Sequence, residues 1–341
     1  MPIKITYTNQ DINEYDSFEE IKQIPNFNLV YNIDCSVLKE NKLTSLPDNM
    51  NFPNLHDFNC SNNHLTSLPD NMNFPNLQTF NCSNNQLTLL SALGTNMNFP
   101  NLQYFNCSTN QLTSLPDNMN FPNLQTFDFI DNKLTILPNN MNFPNLHEFL
   151  CANNKLTSLP DNMNFPNLQI LYCTDNELTS LPNNMNFPNL QYFICCNTKL
   201  TSLPDNMNFP NLQSLDCTDN ELTSLPNNMN FPNLQELICN DNQLTSLPDN
   251  MNFPNLKEFC CSYNKLTSLP DNMNFPNLQY FNCSYNKLTS LPACILNFKN
   301  LHHNNNEIDL SLQIIKNKRR IKREKKRREI KLLAQPDANN V

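Results

Sequence analysis

Glycine is almost missing from this sequence of 341 residues, in which Gly94 is the single example. Phosphate-binding loops and dinucleotide-binding fingerprints need several glycines, because the backbone must approach the phosphates closely. The shortage therefore excludes nucleotide-binding enzymes of those two classes. Tryptophan is absent as well, whereas proline reaches 25 residues because two prolines recur in a repeated unit.

Long apolar runs are also absent. No stretch reaches the roughly 18 consecutive apolar residues that indicate a membrane-spanning helix. The start of the chain, MPIKITYTNQ, lacks the apolar segment of a secretory signal peptide. We therefore expect an intracellular protein that is neither secreted nor bound to a membrane, with a cytoplasmic location and with nuclear entry as the alternative. In that setting the 14 cysteines should be reduced thiols.

A unit of 22 residues dominates the chain, and its plainest copy runs from Leu266 to Lys287 as LTSLPDNMNFPNLQYFNCSYNK. Copies open at Leu43, Leu65 and Leu87, then, after one copy of 25 residues, at Leu112, Leu134, Leu156, Leu178, Leu200, Leu222, Leu244, Leu266 and Leu288. A fixed period in this range indicates a solenoid of stacked units. Within one copy, Phe58 and Cys60 are two residues apart and should point to the same side of a short strand.

The anchors of each copy form the pattern L-x-x-F-x-C-x-x-N-x-L-x-x-L-P, which resembles the leucine-rich repeat over about residues 21–308. The resemblance implies a curved α/β solenoid with a parallel β-sheet on its concave side. Because prolines disfavour helical geometry in the residues before them, we expect only short 3₁₀ or irregular segments on the convex side. The recurring DNMNFPN segment also resembles leucine-rich-repeat proteins of amoeba-infecting giant viruses.

The limits of the repeat divide the chain into three regions. Residues 1–20 are an N-terminal cap, in which Ser17 and Glu20 match a capping box for a short helix. Residues 21–308 form the solenoid of about 13 repeats. Residues 309–341 form a C-terminal capping and basic helical tail, since residues 308–334 contain neither glycine nor proline and are rich in helix formers.

Charge is divided unevenly between the solenoid and the tail. Residues 1–315 carry a net charge of −17 and residues 316–341 carry +8, which together give −9. The basic residues that we select as a candidate site are Lys318, Arg319, Arg320, Lys322, Arg323, Lys325, Lys326, Arg327 and Arg328. This segment can bind nucleic acid, an import factor or an acidic protein surface, but it has no aromatic residues for base stacking, so nucleic acid is not favoured. The basic part can project into solvent or fold back across acidic residues of its own solenoid such as Asp216, Asp219 and Asp241. We expect a projecting helix, because no glycine or proline supplies a hinge for folding back.

Departures from the repeat are where a binding function should be found, because a unique site cannot consist of residues that occur in every copy. In leucine-rich repeats the variable strand residues project from the concave face. The apolar departures are Leu150, Ile170, Tyr172, Tyr192, Ile194 and Ile238, and acidic residues surround them at Glu148, Asp175, Asp216, Asp219, Glu236 and Asp241. An apolar centre with a polar rim is typical of a protein interface. The alternative is that duplicated strands drifted towards residues that favour β-structure.

Two further columns of the repeat have structural interpretations. The repeated asparagine, as at Asn63, should satisfy backbone groups of neighbouring turns. Ten cysteines at one repeat position should fill the core, because a single-file column cannot surround a zinc ion tetrahedrally. Cys196 and Cys260 lie outside that column, and we expect them to be more exposed and more reactive. The histidines show no metal-ligand spacing, and no cofactor is expected.

The resemblance implies a non-catalytic protein-binding module, monomeric, whose partner would be a host protein if the chain is viral. The alternative is a nucleic-acid-binding or nuclear-targeted adaptor that acts through the basic tail. An enzyme is the least favoured class, because no stretch outside the repeats is long enough for a catalytic domain.

Overall fold

The computed structural model describes residues 3–21, 27–36, 42–90 and 99–308, apart from the single residues 118, 206, 250, 297 and 299. These residues form one sheet of 15 strands. The strands are β1 (Ile3–Tyr7), β2 (Ile12–Tyr15), β3 (Val30–Asp34), β4 (Asp57–Asn59), β5 (Thr79–Asn81), β6 (Tyr104–Asn106), β7 (Thr126–Asp128), β8 (Glu148–Leu150), β9 (Ile170–Tyr172), β10 (Tyr192–Ile194), β11 (Ser214–Asp216), β12 (Glu236–Ile238), β13 (Glu258–Cys260), β14 (Tyr280–Asn282) and β15 (Leu301–His302).

From β3 to β15 the strands lie side by side in sequence order, and each pairs in parallel with the next. Each regular strand has three residues, of which the middle one is buried against the core. This pattern follows from the alternation of side chains along a strand. The arrangement of one strand per repeat confirms the solenoid that the 22-residue period predicted and the parallel sheet that the resemblance implied.

The N-terminal end of the sheet is closed by antiparallel strands. β1 pairs with β2 on one side and with β3 on the other, so the parallel ladder does not end on β3. Ile3 and Ile5 of β1 are buried against the first repeat. Helix α1 (Phe18–Ile21) follows, and the Ser17 hydroxyl accepts a hydrogen bond from the backbone N–H of Glu20 at 3.4 Å, as the capping motif predicted.

The core is built from columns of equivalent side chains, in which phenylalanine is the commonest strand residue and leucine replaces it at Leu171, Leu215 and Leu237. The strand phenylalanines stack on one another, as Phe58 does on Phe80 with ring centroids 5.5 Å apart. A second column from the opposite side of each turn meets the first edge-on, as Phe74 meets Phe58 at 5.7 Å. Each fully buried aromatic side chain contributes roughly 1.5–3 kcal/mol, so the stacked turns stabilise one another.

Asparagine side chains link each turn to the preceding one. The Asn85 amide donates to the carbonyl oxygen of Cys60 in the preceding turn at 3.0 Å, and to those of Cys82 and Ser83 in its own turn at 3.1 Å. Its oxygen accepts the Leu65 backbone N–H at 2.9 Å. These contacts recur along the solenoid and confirm the predicted structural role of the column, since buried backbone groups need partners.

The side opposite the sheet consists of turns and irregular segments. Among the described residues, α1 is the only α-helix, and a single 3₁₀ turn spans Phe27–Leu29. This agrees with the prolines at both ends of each convex segment, which leave no room for a regular helix. The insertion near Gly94 and the whole basic tail, from Lys318 to Arg328, lie outside the described residues.

Candidate partner-binding face

The side of the sheet that faces away from the core, here called the open face, carries two rows of side chains. Strand pairing fixes both rows, because each residue lies opposite its counterpart on the next strand. The first row includes Leu150, Tyr172, Ile194, Asp216, Ile238 and Cys260. The second row includes Glu148, Ile170, Tyr192, Ser214, Glu236 and Glu258.

The structure brings the six apolar candidates onto strands β8 to β12 of the open face. This set, here called the central patch, comprises Leu150, Ile170, Tyr172, Tyr192, Ile194 and Ile238. Leu150, Tyr172 and Ile194 are consecutive in one row, and Ile170 and Tyr192 are adjacent in the other. Ile238 is separated from Ile194 by Asp216. Tyr192 is 38% exposed and the other five are half-buried, so the patch is accessible yet closely packed.

The carboxylates beside the central patch are held mainly by neighbouring hydroxyl and amide groups. Asp216 accepts hydrogen bonds from the Thr218 backbone N–H at 3.0 Å and from the Thr218 hydroxyl at 2.7 Å. Glu236 accepts the Ser214 hydroxyl at 3.1 Å. Burial raises the pKa of Asp128, with smaller contributions from Asp131 and Glu148, although a hydrogen bond from the Ile130 backbone opposes the shift. The hydrogen bonds orient the carboxylates of Asp216 and Glu236, so that a basic group on a partner could pair with them.

The prediction that Cys260 is exposed is wrong. Cys260 is only 5% exposed, and its thiol donates a hydrogen bond to Glu258 at 3.3 Å. Cys260 is small, and on the open face it lies between the larger Ile238 and Asn282. Burial raises the pKa of Cys260 to about 12, and the Glu258 carboxylate adds to the shift.

Cys196 is half-buried, as expected, but its chemistry is not that of a reactive thiol. Its sulfur donates to the carbonyl oxygen of Asp216 at 3.7 Å. Burial raises the pKa of Cys196 to about 12, with a further contribution from the Asp216 carboxylate. Since the thiolate is the nucleophile, the expected high reactivity is not supported at either cysteine.

A third column lies at the turn after each strand, and the sequence analysis selected only Asp175, Asp219 and Asp241 from it. We call it the left-handed column, because its residues have φ between 48° and 59°. Its members are Asn62, Asn84, Thr109, Asp131, Asn153, Asp175, Asn197, Asp219, Asp241, Tyr263, Tyr285 and Asn305. Tyr263 and Tyr285 are stacked, with ring centroids 4.1 Å apart. The signal in the sequence was Ser-Tyr-Asn in two successive copies, where the first copies read Ser-Asn-Asn.

Neither a metal centre nor a membrane span emerges from the described part of the chain. There, no three histidine, cysteine or acidic side chains are grouped so that they could hold a metal ion. Within the same residues, no helix is long and apolar enough to cross a bilayer.

Comparisons with known proteins agree with this architecture. A family model described as leucine rich repeats (2 copies) matches residues 75–120 and 232–272. The leucine-rich effector protein YopM from Yersinia pestis is 30% identical with a TM-score of 0.59, over 80% of this chain and 77% of that chain. A leucine-rich-repeat protein of Leptospira interrogans is 26% identical with a TM-score of 0.53, over 84% of this chain and 87% of the other.

A receptor is also similar. The Arabidopsis receptor kinase HAESA, solved in complex with the peptide hormone IDA and a co-receptor, is 26% identical with a TM-score of 0.63. The match covers 82% of this chain and 50% of the HAESA chain. A search of curated protein sequences finds no match. The repeat pattern, the parallel ladder and the likeness to YopM together show that this chain belongs to the leucine-rich-repeat family.

Proposed function

We propose that this chain is a non-catalytic protein-binding module whose partner binds the concave, open face of the solenoid over the central patch. The observation that carries the proposal is the adjacency of Leu150, Tyr172 and Ile194 in one row, with Ile170 and Tyr192 beside them. Contiguous apolar side chains with polar surroundings are typical of interfaces. If each duplicated strand had drifted independently towards β-favouring residues, these five apolar side chains would not need to be neighbours on adjacent strands.

The anatomy of the patch supports a protein partner. Tyrosine is enriched at energetically dominant interface positions, because it offers a large apolar ring and a polar hydroxyl. Tyr172 and Tyr192 are on neighbouring strands, in different rows. The acids Glu148, Asp216 and Glu236 lie in the same two rows and would form the polar surroundings. Leucine-rich-repeat solenoids are typically interaction scaffolds, and the HAESA structure contains a peptide hormone and a co-receptor.

The test is a comparison of proteins captured by three forms of the full-length chain from a cell lysate. The first is the unchanged chain, and the second combines Tyr172→Ala with Ile194→Asp. The third combines Asp57→Ala with Thr79→Ala, which lie on the same face of β4 and β5, far from the patch. Asn59 and Asn81 are unsuitable controls, because their side chains accept the backbone N–H of Ser61 and Ser83.

A specific partner should be lost on the Tyr172/Ile194 variant by at least tenfold, about 1.4 kcal/mol, and retained on the Asp57/Thr79 variant. Circular dichroism of both variants checks that the solenoid remains folded. Equal losses on both variants, with both folded, would contradict the proposal and support drift of the duplicated strands.

The setting of this interaction is a proposal that rests on the sequence. The likeness to giant-virus repeat proteins would make the partner a host protein, and the many thiols favour a reducing, intracellular compartment.

The alternative function, an adaptor that acts through the basic tail from Lys318 to Arg328, predicts a steep loss of binding with salt, as phosphate contacts show. Binding through the central patch predicts little salt dependence, so one titration separates the two functions.

A further inference from the structure

Two tyrosines form an exposed aromatic surface near the C-terminal end of the solenoid. Tyr263 is 49% exposed and Tyr285 is 44% exposed. Their rings are 4.1 Å apart and inclined by 8°, so they present one continuous stacked surface. A hydrogen bond with Tyr285 is the main cause that raises the pKa of Tyr263, and nearby Asp241 adds to it.

Local structure does not explain why tyrosine occupies these positions. Tyr263 has φ of 53° and Tyr285 has φ of 56°, in the left-handed region that asparagine and aspartate tolerate best. Most other members of the left-handed column are asparagine or aspartate, as the backbone favours. Two successive bulky residues in this conformation, with their rings in water, indicate a role in binding rather than in folding.

Carboxylates occupy the same column directly before the tyrosine pair. Asp241 and Asp219 are on the two preceding turns and both are exposed. Their backbones are linked in register, since the Asn220 N–H donates to the Asp241 carbonyl oxygen at 3.1 Å, and the Asn242 N–H donates to that of Tyr263 at 3.2 Å. Burial raises the pKa of Asp241, and repulsion from Asp219 contributes. A cation beside these acids would relieve that repulsion.

This order of two carboxylates and two stacked rings fits arginine and lysine side chains. The arginine guanidinium is planar, pairs with a carboxylate through two hydrogen bonds, and stacks on aromatic rings. Lysine offers a cation for the same rings and carboxylates. No basic residue occupies the left-handed column itself.

We propose that the chain's own basic segment, residues 316–331, docks on the surface formed by Asp219, Asp241, Tyr263 and Tyr285. Charge favours this occupant, because residues 316–341 carry +8 whereas the preceding 315 residues carry −17. The described chain ends at Ile308, on the last repeat, close in sequence to that segment. The proposal is independent of the central patch. It differs from the expected projecting helix because the stacked tyrosines extend the acidic surface of Asp219 and Asp241.

The distances permit docking of the segment. Four turns separate Asn305 from Asp219 in the column, which corresponds to about 19 Å at the usual spacing of adjacent strands. The seven residues from 309 to 315 can span at most about 25 Å. The tether keeps the segment at an effective concentration in the millimolar range, so a weak site on the same molecule would be occupied.

Trypsin cleavage of the tail in the full-length chain tests the proposal, because residues 316–331 contain 11 lysine and arginine residues. Mass spectrometry of the intact protein gives the rate at which tail fragments appear. In the unchanged chain, docking should slow cleavage by about tenfold, the ratio of a millimolar effective concentration to a site affinity of about 0.1 mM. The protection should be independent of protein concentration and should disappear in about 1 M salt, where the Debye length is only ~3 Å.

Two variants remove the site without disturbing the backbone. The first variant combines Tyr263→Asn with Tyr285→Asn, and the second combines Asp219→Asn with Asp241→Asn. Both introduce asparagine, which the column already contains at Asn153 and Asn197. Both variants should lose the protection. The control is Asp161→Asn with Asp205→Asn, which changes the net charge equally at exposed turn positions where other copies have asparagine, such as Asn183. The control should keep the protection.

Three results would overturn the proposal. Rapid cleavage of the unchanged chain at low salt would show that the segment is not docked. Equal protection in both column variants and the control would place the segment elsewhere. Protection that increases with protein concentration would show that the segment binds a second copy. Because no partner protein is present, none of these results bears on the function proposed for the central patch.

Discussion

At the scale of single residues, the contribution of the repeated asparagine to the free energy of unfolding can be measured, because one copy of the repeat lacks this asparagine. Thr198 occupies that position, and its hydroxyl contacts the Cys195 carbonyl at 3.4 Å and the Asn220 side chain. Within the described residues, no side-chain bond from Thr198 reaches the Cys173 carbonyl or the Leu178 N–H, the groups that an asparagine would bind. The turn at Thr198 is therefore a local weakness in the ladder.

We expect Thr198→Asn to raise the free energy of unfolding by about 1–2 kcal/mol, since it restores two hydrogen bonds of roughly 1 kcal/mol each. The reciprocal change, Asn85→Thr, should lower it by about 2–3 kcal/mol, because buried backbone groups lose their partners. Urea unfolding followed by circular dichroism measures both. The interpretation of the column would be contradicted if the two substitutions changed stability in the same direction.

The thiols give a second prediction at the residue scale. With a pKa of about 12, Cys196 and Cys260 are almost wholly protonated at pH 7. We expect both to react slowly with a thiol reagent in the folded chain, and about tenfold faster for each unit of pH, as the thiolate fraction rises. Labelling followed by peptide mass spectrometry measures each site, and the urea-unfolded chain is the control. Fast labelling of Cys260 at pH 7 would contradict its burial.

At the scale of elements, the antiparallel cap determines how firmly the first repeats hold together. Ile5 of β1 is fully buried, whereas Ile12 of β2 is 63% exposed, so the two positions form a matched pair. We expect Ile5→Ala to cost about 2–5 kcal/mol and Ile12→Ala to cost little.

The loss from Ile5→Ala should be local, because each repeat of a solenoid contacts only its neighbours. Native-state hydrogen exchange should show faster exchange in β3 to β5 and unchanged exchange in β12 to β14. A uniform increase along all strands would mean that the solenoid unfolds as one cooperative unit.

The strand register could be predicted from the sequence, because identical residues recur at a fixed period and allow only one stacking. Other features could not. The burial of Cys260 depends on the sizes of Ile238 and Asn282 on adjacent strands, which a single repeat does not contain. The tyrosine pair was missed because Tyr263 lies in the turn after the strand, where the sequence pattern pointed only to acidic residues such as Asp219 and Asp241. The central patch remains a prediction of function, although its residues do lie together.

At the scale of the whole molecule, the column of buried thiols makes stability depend on alkaline pH. In the folded chain burial raises the pKa of these cysteines above the ordinary value of 9.0, as at Cys60 and Cys107. The unfolded chain therefore releases thiol protons at a lower pH than the folded chain does. Stability from this source is complete below about pH 8 and is lost as pH rises from about 9 towards 12.

We expect the thermal midpoint to be constant between pH 7 and 8 and to fall steeply above pH 9, because each buried thiol contributes up to about 1.4 kcal/mol per pH unit. Differential scanning calorimetry across this range measures the effect. Replacing Cys82 and Cys107 by alanine should make the fall less steep, although those variants start from a lower stability. A midpoint that stays constant up to pH 11 would contradict this assignment.

The reach of the asparagine side chains has a consequence for how such a protein can change over generations. Asn85 bonds only its own turn and the turn before it, so each turn is joined to its neighbours by the same contacts. If 22 residues between two equivalent asparagines were lost or duplicated, the turns on either side would therefore be joined by the same asparagine hydrogen bonds as before. Unequal recombination within the gene could lengthen or shorten the molecule by one strand spacing, about 4.8 Å, at each event. The distance between the central patch and the tyrosine pair would then vary in steps, while each surface kept its own residues.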